Sequence, residues 1–211
     1  MQSILKNYKA NLPLLFTSIF PPLVPLIIGI KKKYSLLWLY VLTGFLFDLL
    51  IITLKRISAN RHWAANLFVL LEFVLISFYY KKKVFTNTAF FYAFIISLSA
   101  FFILNTLSKI FKDLNTFGYS IFLFTFILYG IIGLYLILKE QKIFFIEKSS
   151  FFWANAAFIL YASGNLLLFL FKDYLHEKNV LAFNFLWTVS FLTLNILKNL
   201  LLAISLSSKT S

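Results

Sequence analysis

Residues Phe152–Phe171 read FWANAAFILYASGNLLLFLF, twenty positions without a charge. At ~1.5 Å rise per residue, that length crosses the ~30 Å hydrocarbon core of a bilayer as a single helix. Ser163, Gly164 and Asn165 stand together within it. In water such residues need no explanation. In hydrocarbon the Asn165 amide has no solvent to bond, so it must find a partner inside the protein, and the small residues beside it let a second helix approach. Whether this stretch lies in a membrane decides the fold and the meaning of its polar groups.

Composition answers that first question. Of 211 residues, 61% are hydrophobic and 13% charged, against ~45–50% and ~25% in soluble domains. A soluble core of this size cannot absorb such an excess, because its surface still needs polar cover. The 28 phenylalanines suit a lipid-facing surface. The net charge of +13 would suggest nucleic acid in a soluble protein, but the basic residues cluster at the ends of apolar runs, as in Lys31–Lys33 and Lys81–Lys83. That is the flanking pattern of membrane helices meeting anionic headgroups. The partner it implies is the lipid bilayer, and no nucleic acid. The absence of cysteine excludes disulfides, iron–sulfur clusters and thiol chemistry.

Apolar runs measured against ~20 residues per crossing predict seven spans: 12–30, 35–54, 62–80, 88–107, 117–138, 151–171 and 180–206. The expected fold is all-α, a single seven-helix transmembrane domain over 1–211. The runs are too long and uniform for a membrane barrel, and the short connections make neighbours antiparallel. The first run is no cleavable signal peptide: Pro21, Pro22 and Pro25 interrupt it and a triple lysine follows it. Those prolines should kink its helix. Tyr34, Trp38, Tyr79, Tyr80, Trp153 and Tyr174 lie near run ends, as an interfacial aromatic belt would. Loop charges set ten basic residues against nine; the tight lysine triplets in short loops, with Lys198 nearer the C-terminal end, favour N-terminus out and C-terminus in for a multi-pass membrane protein.

Within the spans, away from their ends, stand two acids and one base: Asp48, Glu72 and Lys198. A carboxylate at mid-bilayer costs ~2.5–3.5 kcal/mol on insertion scales, so Glu72 must face the bundle. It either serves a cation, a proton or a ligand hydroxyl, or it glues neighbouring helices. Asp48 has Lys55 seven residues on, on the same helix face, as a pairing partner. Lys198 either snorkels to the nearer interface or pairs inside with Glu72 or Asp48. A lysine in the seventh helix and a carboxylate in the third also occur in retinal-binding rhodopsins; here Leu194 stands where an acid would precede the lysine by one turn, and the sixth span lacks a central tryptophan. In the seventh helix Asn184, Thr188, Asn195 and Asn199 form a polar stripe on one face. Asn165, with Ser163 and Gly164 as a notch and Tyr161 one turn before it, should bond to that stripe. Gly130 and Gly133 are a packing feature. His62 and His176 have no paired-ligand spacing, and no nucleotide or hydrolase motif appears, so no metal and no cofactor is expected.

The segments NLFVLLEF, FWANAAFILYASGNLLLFLF and LWTVSFLTLNILKNLLLAISL resemble a family of small seven-helix membrane proteins widespread in Bacteroidetes, to which no activity is assigned. The matching positions are Glu72, Phe152, Trp153, Tyr161, Ser163, Gly164, Asn165, Trp187, Asn195 and Asn199. Many members carry a histidine shortly after the tryptophan that Trp187 matches, and an acid in the fifth helix. This chain has Val189 and Ser190 in the first place and no acid in the second. The resemblance implies the seven-helix architecture and supplies no activity.

The functional expectation is a non-enzymatic membrane protein that binds a small amphipathic or lipid-like molecule within its bundle, for sensing or transport. The residues expected at that interior network are Asp48, Glu72, Tyr161, Ser163, Asn165, Asn195, Lys198 and Asn199. Two alternatives stand beside it: an accessory subunit assembling with a membrane-protein partner in signalling or defence, and an intramembrane lipid-modifying enzyme using Glu72.

Overall fold

In hydrocarbon each backbone N–H and C=O must be satisfied within its own segment, which a helix does and an open strand does not. The computed structural model describes residues 20–32, 35–57, 59–85, 87–107, 114–140, 146–171, 174, 177–178 and 180–208, and its elements are all helical. They are α1 (Phe20–Lys31), α2 (Leu36–Arg56), α3 (His62–Val84), α4 (Thr88–Leu107), α5 (Thr116–Glu140), α6 (Ser150–Leu170) and α7 (Val180–Ser207). Among the described residues six helices, α2 to α7, are long and apolar enough to cross a membrane, and α1 is a shorter apolar helix. Residues 12–19 of the expected first span, Tyr34, His176 and the side chain of Asn184 lie outside the described residues. From Phe20 the α-helix runs through Pro21, Pro22 and Pro25 and tightens into a 3₁₀ turn at Gly29–Lys32.

Local chemistry marks the helix starts. Ser35 accepts from the Trp38 N–H at 3.2 Å, Asn87 from Phe90 at 3.0 Å and Ser149 from Phe152 at 3.3 Å, each satisfying a donor that the first turn leaves open. Asn115 caps α5 through Gly118 and also donates to Thr106 of α4, while its own N–H bonds Asn66 of α3. One membrane face of α3, α4 and α5 is thereby tied together. α3 outruns its expected end at Tyr80, continuing through the lysine triplet to Val84; Lys81 donates to the Tyr92 hydroxyl at 2.8 Å and lies over its ring, which anchors the extra turn.

α2, α3, α5, α6 and α7 close a ring, with α6 packed broadly on both α5 and α7; α4 leans on α3 and α5, and the end of α1 rests on α2 and α7. α2 meets α7 only sparingly, so their junction is a seam. Glycines mark the close approaches, Gly130 and Gly133 of α5 against α6 and Gly164 of α6 against α7 among them. A β-carbon at Gly133 would stand 2.7 Å from the Asn155 amide, and one at Gly164 would stand 2.5 Å from the tip of Leu194. The core is aromatic: Phe122 stacks between Phe73, at 4.0 Å, and Phe102, at 4.9 Å. Tyr80, expected at the interface, is instead fully buried and donates to Asn155. Its run end lies inside the longer α3, hence the different depth.

The outward faces of these helices are as apolar as the inward ones. Phe90, Ile96, Leu104, Ile131 and Leu167 all project from the bundle. Continuous apolar surface on that scale has no place in water; against lipid it costs nothing. The chain is a helical integral membrane protein.

Candidate functional site

The interior is organised around Glu72. It lies midway along α3, fully buried. Its Oε1 accepts from the Tyr40 hydroxyl of α2 at 2.8 Å and its Oε2 from the Tyr119 hydroxyl of α5 at 3.1 Å. A phenol has one proton to give. Since that of Tyr119 goes to Glu72, the 3.1 Å contact between Tyr119 and Tyr161 of α6 must run from Tyr161 to Tyr119. Three hydroxyl dipoles from three helices thus converge on one carboxyl group, and both its oxygens are occupied.

Lys198 of α7 stands on the other side of these tyrosines. It is 7% exposed, so it does not snorkel to an interface. Its ammonium lies 4.1 Å from the Tyr161 ring centre and 5.5 Å from that of Tyr40, a cation held on two π faces. The alternative, an internal ion pair, does not form directly either: Lys198 makes no ion pair and no hydrogen bond with Glu72, Asp48 or any other described residue, and its ammonium meets the two tyrosine rings instead. Lys198, and not Lys55, shares a cleft with Asp48; Lys55 is exposed at the helix end.

Between α2 and α7 lies a cleft of about 40 Å³. Asp48, Tyr161, Asn195, Lys198 and Asn199 line it with Tyr40, Gly44 and Phe191, and Pro22 of α1 and Phe68 of α3 complete its wall. Five of the eight residues expected in an interior site therefore meet here. Glu72 lies behind the tyrosine wall, outside the lining. Ser163 turns back to the Leu160 carbonyl at 3.3 Å.

Asn165 departs from expectation. It is buried, but its Nδ2 donates to the Tyr161 carbonyl of its own helix at 2.8 Å, and its Oδ1 has no hydrogen-bond partner. Asn199 likewise donates within α7, to the Asn195 carbonyl at 2.8 Å and side chain at 3.1 Å. The cause is register. With Gly164 seated on Leu194, Asn195 and Asn199 turn toward α2 and the cleft, away from Asn165. Tyr40 and Tyr119, the direct partners of Glu72, were not singled out by sequence; a tyrosine in an apolar run looks the same whether it sits in the core or in lipid.

The arrangement defines a class: a helical membrane protein with a charged, water-sized interior cleft. No protein-family model matches this chain, and no curated protein or solved structure matches it either.

Proposed function

We propose that the protein is a seven-span, non-enzymatic sensor or transporter of the bacterial inner membrane, N-terminus out and C-terminus in, whose α2–α7 cleft binds the small polar head of an amphipathic molecule. The seventh span in this reading is the run expected over 12–30, to which α1 belongs, and the resemblance to the Bacteroidetes family belongs to the same proposal. One observation carries it. Lys198 is a buried residue whose ammonium makes no hydrogen bond or ion pair among the described residues and which borders a cleft shared with Asp48. Intramembrane charges of this kind mark ligand and ion pathways.

The cleft also limits its occupant. About 40 Å³ exceeds the roughly 10–15 Å³ that one water requires but is far below the ~300–1,000 Å³ of drug-sized sites. A headgroup fits there while its tail stays in lipid; a whole lipid-like molecule, or retinal, does not. Asp48 and Lys198 offer an acceptor and a donor together, which suits an uncharged or zwitterionic head. The enzymatic alternative loses ground because Glu72 is sealed by two tyrosines and does not line the cleft.

The test is thermal unfolding in detergent with alkyl probes of one chain length bearing hydroxyl, zwitterionic, carboxylate or ammonium heads. Bound ligand stabilises by mass action. Wild type should be stabilised by the hydroxyl or zwitterionic probe and not by the others, and Lys198→Met should lose that response. Equal responses to all heads, or an unchanged response in the variant, refute the assignment.

A further inference from the structure

The charges inside the bundle do not balance. Away from the helix ends the spans carry Asp48, Glu72 and Lys198, and with all three ionised the cluster holds one net negative charge. Glu72 and Lys198 are buried and Asp48 is half-buried; Asp48 and Lys198 line one cleft, and Lys198 lies on the ring of Tyr40, whose hydroxyl donates to Glu72. An uncompensated charge in a low-dielectric interior is strongly disfavoured. Among the described residues no further cation lines the cleft: Lys55 and Arg56 lie on α2 beyond Asp48, exposed at the helix end, Lys31 is exposed at the end of α1, and the titratable groups that face the cluster are Tyr40 of α2, Glu72 of α3, Tyr119 of α5, Tyr161 of α6 and Lys198 of α7. One positive charge is needed to complete the site.

We propose that this charge is one exchangeable proton held on Asp48 at the cleft, so that occupancy of the cleft is coupled to proton uptake and release. Three observations select the proton and its place. The Lys198 ammonium shares the cleft and repels a metal cation from it. Among the described residues no group of three or more His, Cys, Asp or Glu offers a metal its ligands. Asp48 lines the cleft, which is large enough for water, whereas each oxygen of Glu72 accepts from a tyrosine hydroxyl and Glu72 does not line the cleft. In the step itself the Asp48 carboxylate forms an O–H bond with a proton delivered by cleft water from bulk solvent, and no other bond changes. The inference deepens the reading of the cleft as a small-ligand site, but its test is independent of which headgroup binds.

Infrared spectroscopy of the full-length protein in lipid nanodiscs at neutral pH counts protonated carboxyl groups through their C=O stretch. The other carboxyls, Asp113, Glu140, Glu147, Asp173 and Glu177, lie at or beyond the predicted span ends, outside the apolar runs. Wild type should give one carboxylic-acid signal per chain, shifted by ¹³C-aspartate labelling, unmoved by ¹³C-glutamate, and responsive to exchange into D₂O. Asp48→Asn should abolish it, and Lys198→Met should raise it to two. The absence of a signal in wild type overturns the proposal, as does one that follows the glutamate label. A signal that appears only after sodium is replaced by a bulky organic cation would assign the site to sodium and overturn it equally. Because the wild-type label pattern already decides, poor folding of either variant leaves the proposal testable.

Discussion

At the residue scale, Glu72 works as an acceptor for two phenols, and its stability contribution follows from that. Tyr40→Phe or Tyr119→Phe removes one donor from a buried carboxyl group; each should lower unfolding stability in detergent by about 1 kcal/mol, the scale of interhelical hydrogen bonds in bundles. Glu72→Leu strands two hydroxyls at once and should cost about 2–4 kcal/mol on the same scale. A double-mutant cycle of Tyr40→Phe with Glu72→Gln should show coupling. The same cycle with Tyr129→Phe, whose hydroxyl contacts Ser77 instead, should be additive. Additivity in both would mean that the two bonds contribute nothing measurable. Glu72, Asp48 and Lys198 were legible in the sequence because a charge inside an apolar run is expensive and so stands out. The tyrosines were not, since an amphipathic ring is at home in core, lipid and interface alike.

At the element scale, the two glycine contacts differ in what yields. At Gly164 the atom in the way is the free end of Leu194, which can rotate; at Gly133 it is the short Asn155 amide, already held by Tyr80. Gly164→Ala should therefore be close to neutral, with the helix-propensity gain of up to ~1 kcal/mol offsetting the crowding. Gly133→Ala should lose about 1–3 kcal/mol, the usual cost of overpacking. Thermal unfolding of the two variants side by side decides it, and a larger loss at Gly164 would reverse the argument. The helices themselves could be read from the chain, since run length and basic punctuation mark where hydrocarbon begins and ends. Their pairing could not. Periodicity gives the face of a helix, while the axial register that turned Asn195 and Asn199 to the cleft rather than to Asn165 depends on where Leu194 meets Gly164.

At the scale of the whole molecule, the proposed orientation rests on the lysine triplets, and the cysteine-free chain makes it easy to test. A single cysteine at Asn60 and one at Asn87 flank α3. In oriented vesicles an impermeant thiol reagent should reach Asn60→Cys from outside and Asn87→Cys from inside only. The reverse pattern would invert the protein, and labelling of both from one side would deny that α3 crosses. The membrane class was plain from composition alone; the cleft was not, because it is made by five helices and by the seam at which α2 and α7 meet only sparingly.

That seam is the centre of the account, and a high-resolution density map of the wild-type protein in lipid nanodiscs tests it most directly. The prediction is a bundle in which Glu72 is bonded to Tyr40 and Tyr119, with non-protein density (water or a small headgroup) in the cleft within hydrogen-bonding distance of the Lys198 ammonium and facing Asp48. A dry, collapsed seam with Lys198 directly paired to Asp48 or Glu72, or with its side chain drawn out to the membrane surface, would contradict it.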